Sequence, residues 1–164
     1  MLSLQKGFLL KVVILGIGKT NEKYLEEGIS MYEKRLKHYT NFELKLLPDI
    51  KKYANAPDLM EKEGVSFLQF IEKDDFLILC DERGKRMTSV GLADFLEKQQ
   101  ISGARRLVFL IGGAFGIGNN VRERVDLIVS LSDLTFSHQM IRLFLAEQIY
   151  RAFTIIRNEK YHNE

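Results

Sequence analysis

Cysteine is almost absent from this chain: Cys80 is the only one among 164 residues. A single cysteine forms no disulfide within the chain, and it excludes a zinc site built from several cysteines of one chain. This composition is consistent with a reducing compartment. The chain also lacks a large excess of charge of one sign, because its formal net charge is only +2. The chain as a whole therefore gives no strong electrostatic argument for a nucleic-acid partner.

Long apolar runs are missing as well. No stretch approaches the roughly 18 consecutive apolar residues of a membrane-spanning helix. Lys11 interrupts the partly apolar start, and no small-residue cleavage site follows it, which argues against a signal peptide. Internal repeats, low-complexity segments and linkers are not recognisable either. With 46% hydrophobic residues, the chain is predicted to form one soluble, cytoplasmic domain without a membrane partner.

Short apolar runs alternate with segments of helical periodicity along the chain. Strands are predicted at 9–15, 42–47, 76–80, 107–111 and 126–131. Helices are predicted at 21–38, 57–72, 89–100 and 137–153, with Thr88 or Ser89 as the cap of the third. The residues 81–84 resemble a turn. This alternation predicts an α/β sandwich with a mostly parallel sheet.

Two glycine-rich segments follow predicted strands. The first, 16–20, resembles the end of a phosphate-binding loop, but Val13 stands where that loop needs glycine, which favours a tight turn. The second, 112–118, follows a strand end, where α/β proteins bind ligands. It matches the dinucleotide-binding pattern in no register, although Asp133 lies about twenty residues on, as a ribose-binding acid would. A ligand-binding loop and a structural turn both remain open.

The start of the last helix carries a candidate polar site. Ser137 is a natural N-cap, and His138 and Arg142 are four positions apart, so they share a helix face. The pair suits an anionic or polar substrate, and a surface or capping role is the alternative. Further along, Glu147 and Arg151 are predicted to form a structural ion pair.

The same helix is apolar on more than one side, which favours a helix-mediated homodimer. Basic residues cluster at 34–38, 83–86, 105–106 and 122–124, and the tail adds Arg157 and Lys160. Such clusters suit a phosphate backbone, whereas a solvated surface is the alternative for any single one.

In combination, these motifs resemble the RlmH (YbeA) family of SPOUT-class methyltransferases. The resemblance rests on Gly-x-Gly-Lys after the first strand, on IGGAFG, on LTFSHQM followed by Arg142, on EQIYRAF and on the tail 157–162. It covers nearly the whole chain and implies one domain at 10–164 after an extension at 1–9. It also implies a homodimer and a trefoil knot in the C-terminal part of an α/β fold, a rare exception to unknotted connectivity.

The family resemblance further implies a reaction. S-adenosyl-L-methionine would supply a methyl group to N3 of a pseudouridine in helix 69 of 23S rRNA, within the assembled ribosome and without a metal. Three alternatives are a SPOUT methyltransferase acting on another RNA such as tRNA, a nucleotide-binding oxidoreductase that uses the glycine loop, and a ribosome-binding module without catalysis.

The resemblance assigns site residues by motif. The implied cofactor pocket comprises Cys80, Gly112, Leu131, Ser132, Asp133, Leu134, Thr135 and Phe136. The implied catalytic residues are His138 and Arg142, which face the substrate, and Tyr161 and His162, which complete the partner subunit's active site. Four features depart from the family's usual pattern: Cys80 replaces Leu, Ala114 replaces Ser, Ser137 replaces Pro, and the tail ends in Asn163-Glu164 instead of one basic residue.

Overall fold

One five-stranded sheet organises the computed structural model, which describes residues 9–163. Its strands are β1 (Lys11–Ile17), β2 (Asn41–Leu47), β3 (Phe76–Arg86), β4 (Arg106–Ile111) and β5 (Leu127–Ser130). They lie in the order β2-β1-β4-β3-β5, and each neighbouring pair is parallel. The predicted α/β fold with a parallel sheet is confirmed. The trefoil knot stays a prediction.

Four helices connect the strands and a fifth follows β5: α1 (Lys23–Leu36), α2 (Ala56–Phe70), α3 (Ser89–Ile101), α4 (Asn119–Arg122) and α5 (Met140–Ile156). Side-chain caps begin two of them, because Asn55 accepts from the Asp58 amide and Thr88 accepts from the Gly91 amide. The short α4 was not predicted, since four residues are too few for a periodic signal. No helix among residues 9–163 is long and apolar enough to cross a membrane.

Alternate residues of the central strands enter two separate cores, one on each face of the sheet. On one face, Val12 and Ile14 of β1 pack in the cluster that includes Ala146 of α5. On the other face, Val13 of β1 packs in the cluster that includes Phe67 of α2. A strand covered on both faces is apolar at every position, which is why β1 and β4 are recognisable as continuous apolar runs.

The predicted turn at 81–84 is wrong, because β3 continues through it to Arg86. The register with β5 shifts between Cys80 and Lys85, after which pairing resumes at Lys85 and Val129. Gly84 lies against β5 so closely that a Cβ there would be 2.6 Å from the Val129 nitrogen. The residues of turn-like composition, 81–84, form this register shift. Within it, the Asp81 carboxylate accepts from the Arg83 amide at 2.9 Å.

The last helix begins later than predicted. Ser137 does accept from the Met140 amide, at 3.1 Å, but residues 138–139 form a turn and α5 starts at Met140. The helix also runs three residues further than the predicted end, to Ile156. His138 therefore lies in the approach to α5 and not on the helix itself. The proposed extension at 1–9 falls, apart from Leu9, outside the described residues.

Candidate functional site

A cavity of about 490 Å³ opens at the carboxyl ends of β3, β4 and β5. These three strands are neighbours in the sheet, so the segments that follow them meet at one edge. The lining comes from 79–83 in the middle of β3, from 111–117 at the end of β4 and the loop that follows, and from the β5–α5 connection, with Arg122 and Ile141 in addition. All residues predicted to bind the cofactor line this cavity except Asp133. Asp133 instead pairs with Arg86 at 2.7 Å, where both side chains are exposed.

The glycine loop after β4 is a tight turn folded against its own backbone. Gly116 has a φ of 90°, in the left-handed region that favours glycine, and its amide donates to the Gly113 carbonyl at 3.1 Å. A Cβ on Gly112 would lie 3.0 Å from the carbonyl group of Gly116. The loop thus has structural reasons for its glycines, while its other surface forms a wall of the cavity.

The connection before α5 is held by side-chain hydrogen bonds to its own backbone and to β3. The Ser132 hydroxyl accepts from the Leu134 amide at 3.0 Å, and Thr135 donates to Glu82 at 2.8 Å. Leu134 is 71% exposed at the rim. Phe136 is also partly exposed and packs on Phe144 of α5, with ring centroids 4.8 Å apart. The rim of the cavity is therefore apolar on the side of this connection.

His138 is the titratable side chain of this connection that lines the cavity. Partial burial, followed by the nearby positive charge of Arg142, lowers the pKa of His138 below its ordinary value of 6.5. The Asp49 carboxylate acts in the opposite direction and is outweighed. The imidazole is consequently neutral at pH 7 and able to accept a proton.

Arg142 is not among the residues that line the cavity; its side chain is buried, with 1% exposure. One guanidinium nitrogen donates to the Ile17 carbonyl at 2.7 Å, and another donates to the Thr20 hydroxyl at 3.1 Å. Gly16 lies beside the guanidinium, where a Cβ would be in ordinary van der Waals contact at 3.4 Å from Arg142 Nε. The first glycine segment thus accommodates an arginine of α5.

Tyr161 and His162 fold back along α5, away from the cavity of the same chain. The turn begins at Asn158, whose φ is 54°. Tyr161 donates to Glu147 at 3.1 Å, and His162 Nδ1 lies 3.3 Å from Arg151. The predicted pair of Glu147 and Arg151 is confirmed at 2.6 Å. Because these α5 residues follow His138 by about 9 to 13 positions, the tail lies roughly 14–20 Å further along the helix axis.

Glu63 was missed in the sequence, although it lies beside the glycine loop. It follows Leu59 and precedes Phe67 at intervals of four, so it belongs to the buried face of α2. An acid within an apolar series of this spacing is unusual, and this pattern in the sequence could have indicated Glu63 as a functional residue. Its carboxylate contacts Gly113, where a Cβ would be 2.6 Å from Glu63 Oε2.

The fold and the motif order together define the class. A family model described as "Predicted SPOUT methyltransferase" matches residues 10–162, and the chain belongs to that family.

Relatives with one shared name narrow the comparison. The chain is 44% identical to "Ribosomal RNA large subunit methyltransferase H" of Christiangramia forsetii over 156 residues, 94% of this chain and 99% of that protein. Proteins of the same name from Parabacteroides distasonis and Flavobacterium johnsoniae are each 45% identical over 157 residues, 94% of this chain and 100% of the relative. The resemblance to the RlmH family is confirmed.

Proposed function

We propose that this protein is an S-adenosyl-L-methionine-dependent methyltransferase of large-subunit ribosomal RNA, with N3 of a pseudouridine in helix 69 of 23S rRNA as the methylated atom. One observation carries the proposal. Segments far apart in sequence, and matched to the family by motif, converge on one cavity at the carboxyl edge of the sheet. The family membership and the printed names of the relatives support the reaction class.

The cavity fits the cofactor in size and in wall chemistry. Its volume of about 490 Å³ lies within the range of roughly 300–1,000 Å³ typical of small-molecule sites. Gly112 and Gly113 contribute backbone atoms to the wall, since their Cβ positions face Gly116 and Glu63. The assigned holding residues are Cys80, Gly112 and the loop Leu131–Phe136, with Asp133 at its outer edge. When bound, S-adenosyl-L-methionine supplies a methyl group already activated by its sulfonium, so a metal is not required.

His138 is assigned as the residue that receives the N3 proton. An imide nitrogen is a poor nucleophile until its proton leaves, and a neutral imidazole at the cavity wall meets that need. Arg142 acts through His138, because its buried positive charge helps to keep the imidazole neutral. It also ties the start of α5 to β1, which holds the base in place. Arg142 is thus a positioning residue in this mechanism.

A homodimer brings Tyr161 and His162 to the cavity of the other subunit. Within one chain the pair packs on the middle of α5, remote from His138. A two-fold axis across α5 would place the carboxyl end of one helix near the amino end of its copy. Two exposed aromatic side chains of each chain, Tyr24 of α1 and Phe144 of α5, suit such an interface. The two tail residues then position the RNA.

The RNA substrate requires basic groups around the cavity. Arg83 lines it, and Arg83 and Lys85 are both exposed on the outer part of β3. Arg122 is already engaged with Asp81 at 2.9 Å. Phosphate contacts from Arg83 and Lys85 would make binding weaken as salt rises. A ribosomal substrate also implies a cytoplasmic protein.

Label transfer tests the function directly. The protein is incubated with tritiated S-adenosyl-L-methionine and with free 23S rRNA, large subunits or whole ribosomes from a strain that lacks the endogenous enzyme. Label in 23S rRNA of whole ribosomes, mapped by mass spectrometry to N3 of a pseudouridine, supports the proposal. Cofactor binding without label in any of these moves the substrate to another RNA such as tRNA. Absence of both binding and transfer overturns the methyltransferase assignment.

A further inference from the structure

Glu63 presents a buried carboxylate without a hydrogen-bonding partner for one of its oxygens. The residue is 6% exposed, and Oε2 has no partner among the described residues. Both carboxylate oxygens lie against the face of Gly113 where another residue would carry its Cβ, at 2.6 and 2.7 Å from that position. Gly113 also lines the cavity. Gly113 therefore contacts both this carboxylate and the cavity, which Glu63 itself does not line.

Within residues 9–163, no positive charge acts on Glu63 to offset its own. Burial raises the pKa of Glu63, and the Asp49 carboxylate on the β2–α2 connection raises it further. Lys62, its neighbour on α2, is engaged on the outer surface with Asp58 and the Lys52 carbonyl. From α4, the neutral Asn120 packs beside Glu63 at Gly64, and Arg122 is paired with Asp81. An acid in this setting is costly unless a ligand brings the missing charge.

We propose, on the basis of the function proposed above, that Glu63 is the electrostatic partner of the sulfonium charge and thereby favours S-adenosyl-L-methionine over S-adenosylhomocysteine. The two molecules differ at the sulfur by a methyl group and one positive charge. Methyl transfer removes that charge, and attraction between opposite charges is strong where water is excluded. The carboxylate stabilises the substrate form of the cofactor and not the product form, so S-adenosyl-L-methionine displaces S-adenosylhomocysteine more readily.

Proton linkage follows from the same arrangement. A cation that approaches Glu63 lowers the pKa of the carboxyl group, so binding of S-adenosyl-L-methionine releases protons from the protonated fraction. The affinity for S-adenosyl-L-methionine then rises with pH across the titration range of Glu63. S-adenosylhomocysteine lacks the sulfonium charge, and its affinity changes little over that range.

Isothermal titration calorimetry of the full-length protein tests the proposal with both cofactors. In Glu63→Gln, the affinity for S-adenosyl-L-methionine should fall about tenfold, the order expected for opposite charges separated by several ångströms. The affinity for S-adenosylhomocysteine should stay within about twofold, so the preference between the two cofactors shifts by nearly the whole amount. Glu61→Gln, an exposed acid on the same helix, should change neither affinity. Equal losses for both cofactors in Glu63→Gln, or no loss for either, overturn the proposal.

The unmodified protein provides a second measurement that does not depend on folding of a variant. Titrations in buffers of different ionisation enthalpy count the protons released on binding. Release with S-adenosyl-L-methionine, and little with S-adenosylhomocysteine, supports the role of Glu63. Equal proton release with both cofactors overturns it while leaving the methyltransferase function intact. If neither cofactor binds, the proposed function itself fails.

Discussion

The Arg142 guanidinium donates a hydrogen bond of 2.7 Å to the Ile17 carbonyl oxygen and so joins residues 125 positions apart in the sequence. The bond connects the first turn of α5 to the carboxyl end of β1. It places a full positive charge inside the protein, close enough to His138 to lower the pKa of that imidazole. A structural contact and a property of the proposed base therefore have the same origin.

Substitution of Arg142 should destabilise the fold. Arg142→Met leaves the Ile17 carbonyl without its donor in a buried setting, and we expect the free energy of unfolding to fall by about 2–4 kcal/mol. Urea denaturation followed by circular dichroism measures the loss. Thr20→Val removes only the weaker contact at 3.1 Å and should cost about 1 kcal/mol. Similar stability in Arg142→Met and the parent protein would show that the buried bond contributes nothing net.

The pH dependence of methyl transfer should follow His138. Since the pKa of His138 is lowered below 6.5, the imidazole is protonated only in acid, and turnover falls as the pH decreases through that lowered value. Above it, the rate is flat. In Arg142→Gln the positive charge is lost, so the acidic limb should move to higher pH. An unchanged profile in that variant would separate Arg142 from the titration of the base.

Removal of the proposed base should affect transfer much more than cofactor binding. His138→Asn is expected to slow methyl transfer by about 100-fold, the lower range for a general base. The affinity for S-adenosyl-L-methionine should stay within a factor of about three, because backbone groups of several segments line the cavity. Single-turnover kinetics and calorimetry separate the two effects. Near-normal turnover would instead indicate that water takes the proton.

Mixed dimers should restore activity from two inactive variants. His138→Asn lacks the base, and a Tyr161→Phe, His162→Ala double variant lacks the tail groups. If the tail acts on the other subunit, each heterodimer has one intact site of two. Random mixing makes about half of the dimers heterodimers, so about a quarter of all sites are intact. Radiolabel transfer after unfolding and refolding of the mixture measures this. Activity equal to the sum of the separate variants would show that each chain uses its own tail.

The glycine loop should tolerate no side chain at Gly112. In Gly112→Ala the new Cβ meets the Gly116 backbone at 3.0 Å, and backbone atoms cannot move aside without deforming the turn. We expect the affinity for S-adenosyl-L-methionine to fall by at least about tenfold. Gly103→Ala is the matched control, because Gly103 has a φ of 79° but nothing within 4 Å of its Cβ position. It should cost about 1 kcal/mol of stability and leave cofactor binding unchanged.

The Cys80 thiol should be inert at neutral pH. Burial raises the pKa of Cys80 to about 12, so the reactive thiolate is almost absent. Iodoacetamide should label the native protein far more slowly than the urea-unfolded chain, as followed by mass spectrometry. Cys80→Leu, which restores the residue usual in the family, should keep cofactor affinity within about threefold, because the position contributes apolar surface. Rapid labelling of the native protein would contradict this view.

Much of the architecture was evident from local composition. β1 and β4 are covered on both faces, so nearly every residue in them is apolar, and their runs stand out without knowledge of any neighbour. Thr88 caps α3 as its residue type suggests. The motif after β4 and the segment before α5 were matched to one cofactor pocket, and the structure brings nearly all of those residues to one cavity.

Other features depended on contacts that periodicity does not encode. Residues 81–84 have a turn-like composition, yet β5 supplies pairing that carries β3 to Arg86. The burial of Arg142 depends on the Ile17 carbonyl, and the isolation of Glu63 depends on the glycine loop packed against α2. A sequence pattern records which positions avoid water, so it determined the buried strands and the longer helices. The partner of each buried charge is set by segments distant in the chain, and only the tertiary structure decided it.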